Sequence, residues 1–343
     1  MTFLILLFGF LFGALLQSAK LNKYNTISGM ARLEDYTVAK AIAVAVGVGA
    51  ILLSIEIGLG FASWHVKPLL LAGIGIGGLI FGAGMAILGY CPGTLPVSLG
   101  EGSMDALIGI IGGIVGGIVY TLIQPSIQGM LGPDLGKISL NSAVGGGALY
   151  YILVFVFGLA LVAIAFLLNK IERKKSFNWL YAGIGLAVLN CIVFLTAVFD
   201  RPIGASTTYP YVGDFLTGLT SNNYFAAIEK PGKWELIFLA GAVLSGLVLS
   251  LIRKDFKIQL IHSGWSKTEG KSPVKRIIWA FVGGFIMLIG ARMAGGCTSG
   301  HVISGGMQIA VSSLVFGAFV FIGLLVTGKY FYRKNIFQKY LKL

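Results

Sequence analysis

Two short segments place a cysteine among glycines and hydroxyl residues inside otherwise apolar sequence. Residues 89–94 read GYCPGT and residues 295–301 read GGCTSGH. A thiol is a weak hydrogen-bond donor with a soft, polarisable sulphur. The glycines and proline interrupt a helix, and the hydroxyl residues are typical helix caps, so amide groups at the restart would favour an anion. The pattern predicts two related sites for an anion.

The composition predicts that the elements holding these segments are membrane helices. Of 343 residues, 56% are hydrophobic and 11% are charged, whereas about a quarter are charged in soluble domains. The net charge of +13 would indicate nucleic-acid binding in a soluble protein, but here the basic residues cluster beside apolar runs. Nucleic acid is therefore not a predicted partner, and three cysteines do not form a secreted disulphide scaffold. The predicted fold class is an all-α integral membrane protein in a lipid bilayer.

Apolar stretches of about 20 residues, the length that crosses a bilayer, predict nine transmembrane helices. The first stretch resembles a signal peptide in length, but it lacks a basic segment before it, and we interpret it as a span. The predicted spans are 2–19, 37–60, 69–89, 104–124, 146–168, 177–199, 234–252, 277–295 and 308–328.

The basic residues predict the orientation, because Lys and Arg concentrate in cytoplasmic loops. Nine alternating spans put the clusters in 169–176, in 253–276 and in the tail on one side, with a periplasmic N-terminus and a cytoplasmic C-terminus. The loops 125–145 and 200–233 are then external. The tail cluster consists of Lys329, Arg333, Lys334, Lys339 and Lys342.

The chain also repeats itself at a shift of 206 residues, the separation of Cys91 from Cys297. Gly77, Gly84 and Gly89 recur as Gly283, Gly290 and Gly295. The matching spans are the third and the eighth, so they run in opposite directions. This predicts a single transporter domain over 1–343, with an inverted repeat of 1–124 and 177–328 joined by a connecting helix at 146–168.

Two further segments are irregular at the equivalent positions after the first and sixth spans. Residues 25–29 read NTISG and residues 201–208 read RPIGASTT. Both are rich in small and hydroxyl residues and lie near an arginine. We interpret them, like the two cysteine segments, as re-entrant loops that line a cavity, because irregular backbone at membrane depth needs protein or water around it.

With these segments the chain resembles the YeeE/YedE family, bacterial sulphur transporters whose characterised activity is thiosulphate uptake. The resemblance rests on residues 89–94, 201–207 and 295–301 and extends over nearly the whole chain. It implies an hourglass-shaped protein pinched by re-entrant loops, in which thiosulphate passes between cysteine thiols through S–H···S hydrogen bonds. Family members of this type also carry a cysteine after the first span, where this chain has Asn25, Thr26 and Ser28.

The candidate residues have simpler structural roles as alternatives. A free cysteine is often a packing residue. The matched helix breaks favour function for Cys91 and Cys297, whereas Cys191, in mid-helix, is interpreted as structural. Arg292 either faces a cavity or extends to the membrane surface, and His301 either donates to an anion or caps its loop. The predicted substrate-binding residues are Cys91, Cys297, Gly93, Thr94, Thr298, Ser299, His301, Ser206, Thr207 and Asn25.

The predicted function is uptake of thiosulphate or a related sulphur anion across the bacterial inner membrane, without a cofactor, metal or enzymatic step. No nucleotide-binding motif occurs in the sequence, so ATP is not its direct energy source. The alternatives are a membrane sulphurtransferase with a cysteine persulphide and a passive channel for another anion. The resemblance also implies a small cytoplasmic sulphur-carrier protein as a partner.

Overall fold

The described part of the chain is built from helices, which confirms the predicted all-α membrane fold. The structure is a computed structural model that describes residues 1–332. Arg333, Lys334, Lys339 and Lys342 lie outside the described residues. The helices are α1 Thr2–Ser18, α2 Tyr24–Ala31, α3 Thr37–Gly58, α4 Leu71–Leu88, α5 Thr94–Gly100, α6 Met104–Ile127, α7 Leu140–Val144, α8 Gly147–Glu172, α9 Asn178–Phe194, α10 Thr208–Thr217, α11 Asn223–Ile252, α12 Ser263–Thr268, α13 Pro273–Met293 and α14 Val311–Phe331, with a π-helical turn at Thr298–Gly305.

Within residues 1–332, seven helices are long and apolar enough to cross a membrane by length and composition: α3, α4, α6, α8, α11, α13 and α14. Two further apolar helices, α1 and α9, are shorter. Each of these helices overlaps one predicted span. That all nine helices cross the membrane remains a prediction.

Two long helices begin earlier than the sequence predicts. Helix α11 contains Pro231 in its interior and is capped by the Asn222 side chain, which accepts from the Phe225 N–H at 2.7 Å. Helix α13 begins at Pro273, where proline is favoured because the first helical N–H has no partner. As a result Arg276, which the sequence places in a basic loop, lies inside a helix and is fully buried.

Helices α4 and α13 cross at the centre of the molecule through glycines. A Cβ atom at Gly77 would lie 2.7 Å from the Gly290 carbonyl oxygen, and a Cβ at Gly84 would lie 2.7 Å from that of Gly283. Gly77 therefore faces Gly290 while Gly84 faces Gly283, so the two helices run antiparallel. Small residues let helix backbones approach this closely inside membranes.

The other helices pack around this crossing in matched pairs. Helix α4 packs on α14 as α6 packs on α13, and α1 packs on α11 as α3 packs on α9. Helix α8 lies outside, against α3.

The connecting segments gather at two ends of this bundle. We name them the Cys91 end, with segments 19–36, 89–103, 173–177 and 253–272, and the Cys297 end, with segments 59–70, 128–146, 195–222 and 294–310. Side-chain bonds join the segments within each end, for example Asn25 to Ser263 at the Cys91 end and His65 to Gln308 at the Cys297 end.

Candidate functional site

Both cysteine segments leave their helices through a left-handed glycine. Gly89 follows α4 with φ +77°, and Gly295 follows α13 with φ +73°. Only glycine adopts this backbone conformation without strain. A helix therefore ends in a similar way before Cys91 and before Cys297, and the predicted interruptions are present at both.

A comparison of two variants, Gly89→Ala and Gly295→Ala, distinguishes the cost of backbone strain from the cost of steric overlap. A Cβ at Gly295 meets nothing within 4 Å, so Gly295→Ala should lower the free energy of unfolding only by the cost of a left-handed alanine, about 1–2 kcal/mol. A Cβ at Gly89 would overlap the Tyr24 ring, so Gly89→Ala should lower the free energy of unfolding by clearly more. Thermal unfolding of the purified variants in detergent measures both. Equal losses would mean that the Tyr24 ring moves aside freely.

One cavity of about 520 Å³ is lined by residues of both cysteine segments, although Cys297 itself does not line it. Its walls are mainly apolar side chains, such as Phe12, Ile27 and Met30. Five of the predicted binding residues line this cavity: Cys91, Gly93, Thr94, Thr298 and Ser299. The structure thus brings residues from both halves of the chain to one space.

At the first break, the Cys91 side chain is partly exposed while the backbone is held by Thr94. The Thr94 hydroxyl accepts from the Cys91 N–H at 2.9 Å and donates to the Cys91 carbonyl oxygen at 3.1 Å. The same carbonyl accepts from the N–H groups of Thr94 and Leu95, and Pro96 has no N–H. The first amides of α5 are therefore engaged locally, contrary to our expectation for an anion site. The thiol is the group that this turn presents.

At the second break, Cys297 is buried and its Sγ lies 3.2 Å from the Ser299 hydroxyl. Thr298 lines the cavity, and its hydroxyl is buried and has no hydrogen-bond partner within residues 1–332. A buried hydroxyl without a partner is costly unless a ligand or water satisfies it. The following π-helical turn, Thr298–Gly305, is a type of turn that is frequent at functional sites.

His301 is held by protein groups at both ring nitrogens. Its Nε2 lies 2.7 Å from the Ala294 carbonyl oxygen and its Nδ1 lies 3.1 Å from the Ser313 hydroxyl. The carbonyl can only accept, so Nε2 donates and Nδ1 accepts from Ser313. His301 therefore holds the Cys297 segment onto α14. Its predicted contact with substrate remains a prediction.

The start of α10 near the Cys297 end already holds a carboxylate. Glu235 Oε2 accepts from the backbone N–H groups of Thr207 at 2.6 Å and Thr208 at 3.3 Å. Arg292 donates to the Thr207 hydroxyl at 3.2 Å, and Ser206 is buried beside it. The amides that would receive an anion at this helix start are occupied by Glu235, which the sequence interpretation did not identify.

Asn25 lies at a different cavity, of about 420 Å³, at the Cys91 end. Its side chain donates to the Ser263 hydroxyl and accepts from the Gly264 N–H, both at 2.8 Å. From helix α2 it is Ile27 and Met30 that face the cysteine cavity. The structure therefore does not bring Asn25 next to Cys91 or Cys297.

A buried polar network, also missed from the sequence, lies beside Cys91. Arg276 donates through Nε to Asp105 Oδ2 at 3.0 Å and through a terminal nitrogen to the Leu88 carbonyl oxygen at 2.7 Å. His262 Nε2 lies 3.1 Å from Asp105 and 2.9 Å from the Tyr90 hydroxyl. Because His262 also lines the 420 Å³ cavity, this network separates that cavity from the Cys91 segment.

Lys67 contacts the second break and was not identified from the sequence. It is the sole Lys, Arg, Asp or Glu between Glu56 and Glu101, which is the signal that could have identified it. Its ammonium donates to the Gly295 carbonyl oxygen.

Among residues 1–332, no cluster of three or more His, Cys, Asp or Glu side chains is arranged to hold a metal ion. Cys191 packs among Leu53, Phe194 and Met307 and does not line the cysteine cavity.

Comparisons with known proteins match most of the chain to transport proteins. A family model described as "Sulphur transport" matches residues 19–326. A protein named thiosulfate transporter TsuA, from Spirochaeta thermophila, is 26% identical over 332 residues, which cover 93% of this chain and 95% of that protein. A probable transporter from Xylella fastidiosa is 28% identical over 138 residues, 36% of this chain and 93% of that protein.

Proposed function

The chain belongs to the Sulphur transport family, and from this premise we propose that it imports thiosulphate, or a closely related sulphur anion, across the bacterial inner membrane. The observation that carries the proposal is the cavity between the two breaks, which Cys91 and Thr298 line together. The similarity to a thiosulfate transporter over 93% of the chain supports the choice of anion.

In this mechanism the two thiols contact the terminal sulphur of thiosulphate and hydroxyl groups contact its oxygens. Cys91 and Cys297 are weak donors, and the Thr298 hydroxyl is buried without a partner. An anion that is held only by weak groups in series can leave each of them again, which transport requires. Cys297 Sγ lies 3.2 Å from the Ser299 hydroxyl and either atom can donate, so in this mechanism the thiol turns its donation from Ser299 to the substrate.

We further propose that 1–124 and 177–328 form the two inverted halves of an hourglass, with the helix at 146–168 as connector and the breaks as re-entrant loops. The antiparallel crossing of α4 and α13 and the matched packing of α4 on α14 and α6 on α13 support this arrangement. Transporters of this kind place their substrate path at the interface of the repeats.

We propose that the Cys91 end faces the cytoplasm, because basic residues are far more numerous there. The cytoplasmic carrier protein implied by the resemblance remains a prediction. The basic residues in the segments of the Cys91 end, or within three residues of them, include Lys20, Lys23, Arg32, Lys170, Arg173, Lys174, Lys175, Arg253, Lys254, Lys257, Lys267, Lys271 and Lys275. Those in the segments of the Cys297 end, in the adjoining first half of α11 and in the last turn of α13 are Lys67, Lys137, Arg201, Lys230, Lys233 and Arg292.

Reporter fusions test this orientation. Fusions after residues 140 and 215 should report the periplasm, and fusions after residues 174 and 262 should report the cytoplasm. A single fusion on the opposite side would break the proposed topology, whereas reversal of all four would only invert it.

A sulphurtransferase is the second candidate, because the Lys67 ammonium lies beside the Cys297 segment and a nearby cation favours a thiolate. In that reaction the Cys297 thiolate attacks the terminal sulphur of thiosulphate, the sulphur–sulphur bond of thiosulphate breaks, and sulphite leaves with the bonding electrons. A passive channel would instead lack selectivity for thiosulphate over sulphate.

Uptake of labelled thiosulphate by cells that express the protein tests the proposal. Expressing cells should accumulate the label faster than cells that carry an empty vector, and excess unlabelled sulphate should compete poorly. Release of sulphite by the purified protein without uptake would favour the sulphurtransferase. Equal competition by sulphate would favour the channel.

A further inference from the structure

The Lys67 ammonium is built into the second cysteine segment. Its Nζ donates to the Gly295 carbonyl oxygen. A Cβ at Gly296 would run into this nitrogen, and a Cβ at Gly300 would lie 3.5 Å from it. The glycines on both sides of Cys297 therefore leave the space that the ammonium occupies.

The segment that carries Lys67 is anchored on both sides of it. The His65 N–H donates to Gln308 Oε1 at 2.7 Å, and the Ser312 hydroxyl donates to the Lys67 carbonyl oxygen at 3.0 Å. The Leu69 N–H donates to the Gly136 carbonyl oxygen at 2.9 Å. These bonds fix the lysine backbone, so the side chain reaches Gly295 from a rigid base.

The ammonium has no carboxylate partner: within residues 1–332, no Asp or Glu oxygen lies within 4.0 Å of it. Arg292 likewise has no such partner and donates instead to the Tyr224 hydroxyl at 2.7 Å. The nearby carboxylate of Glu235 is already bound by two backbone amides. The Cys297 segment is therefore bordered by cationic groups in excess over carboxylates.

The equivalent position at the other end is neutralised. There Arg276 binds the carbonyl oxygens at the end of α4, as Lys67 binds that of Gly295 after α13, but Arg276 is paired with Asp105 and fully buried. Lys67 is only half-buried. One end thus offers an unpaired cation beside its cysteine and the other does not.

We propose that Lys67 is the anion-binding group of the Cys297 end, where it receives the sulphonate oxygens of a divalent sulphur oxyanion before the thiols engage the terminal sulphur. This assignment rests on the proposed function for the identity of the anion. A hydrogen bond from a cation to an oxyanion is about twice as strong as one from a neutral donor. The thiols, in contrast, contribute selectivity for sulphur.

The charge of Lys67 also predicts a pH dependence. Burial lowers the pKa of Lys67 to about 8, Cys297 raises it and Arg292 lowers it. The other charged or titratable groups that face it are Glu235, Arg201 and His301. Lys67 is mostly charged at pH 7 and mostly neutral at pH 9, so anion affinity should fall over this interval.

The test compares Lys67→Gln with Lys67→Arg, and with Lys137→Gln as a matched control at an exposed lysine of the same end. Labelled thiosulphate uptake into proteoliposomes gives KM and the maximal rate. The shift in melting temperature on adding thiosulphate gives binding without transport. Lys67→Gln should raise KM about tenfold, the value of one charge-assisted hydrogen bond, with a much smaller change in maximal rate.

Lys67→Arg and Lys137→Gln should keep KM near that of the unaltered protein, and the rise in KM between pH 7 and pH 9 should disappear in Lys67→Arg. An unchanged KM in Lys67→Gln, or equal losses in Lys67→Gln and Lys67→Arg, would overturn the proposal. If thiosulphate stabilises the unaltered protein but not Lys67→Gln while neither takes it up, the anion site stands and the transport function fails. If thiosulphate stabilises neither, the site fails.

Discussion

Replacing Cys297 by alanine is expected to reduce thiosulphate uptake to the level of cells without the protein, at least about tenfold, which corresponds to the loss of roughly 1.4 kcal/mol. The thiol sits at the break after α13, beside the Ser299 hydroxyl and the Lys67 segment. Removing one sulphur atom there leaves a small void and should change the folded yield little. The rate of labelled thiosulphate uptake, normalised to the amount of protein in the membrane, measures the effect.

The matched control is Cys191→Ala, which also removes a buried thiol. Cys191 packs among apolar side chains, and its sulphur lies 4.0 Å from the Gly49 carbonyl oxygen, so its loss should leave uptake nearly unchanged. Cys91→Ala should resemble Cys297→Ala. An essential Cys191 with a dispensable Cys297 would place the path elsewhere.

The largest effect on stability is expected from the Arg276–Asp105 pair. Both side chains are fully buried, and Arg276 also binds the carbonyl oxygens of Ile87 and Leu88 at the end of α4. Breaking a buried pair by removing one partner costs about 3–5 kcal/mol, because the remaining charge stays buried without compensation. Arg276→Ala should therefore lose most of its folded protein, as measured by size-exclusion profile and melting temperature in detergent.

The neighbouring pair Lys275–Glu269 provides the control. It is joined at 2.6 Å, but the lysine is 41% exposed. Exposed pairs contribute about 0–1 kcal/mol, so Glu269→Gln should change the melting temperature little. A double-mutant cycle of Asp105→Asn and Arg276→Gln should give a large coupling. Additive effects would mean that the two side chains act independently.

The helices and the two breaks follow from local sequence. Apolar length predicts each long helix, and the glycines before Cys91 and Cys297 predict the turns, because glycine adopts the left-handed conformation without strain. Helix starts are less predictable, since Pro231 and Pro273 lie inside helices that the apolar pattern begins later.

The partners of the site are set by tertiary packing and could not be read from spacing. Lys67 meets Gly295 across 228 residues, and Arg276 meets Asp105 across 171. The sequence indicates that amide groups at the start of α10 could bind an anion, but it does not indicate that Glu235 binds them instead. Asn25 is polar and lies in the predicted segment after the first span. Its position on α2, however, directs its side chain to Ser263 and not to the cysteines.

The measurement that tests the central claim most directly uses purified protein in proteoliposomes and thiosulphate labelled separately in its terminal sulphur and in its sulphonate sulphur. Transport of the intact anion predicts that both labels enter the lumen at the same rate, and that neither does so with Cys297→Ala. Retention of the terminal-sulphur label on the protein, with the sulphonate label left outside as sulphite, would contradict transport and establish sulphur transfer instead.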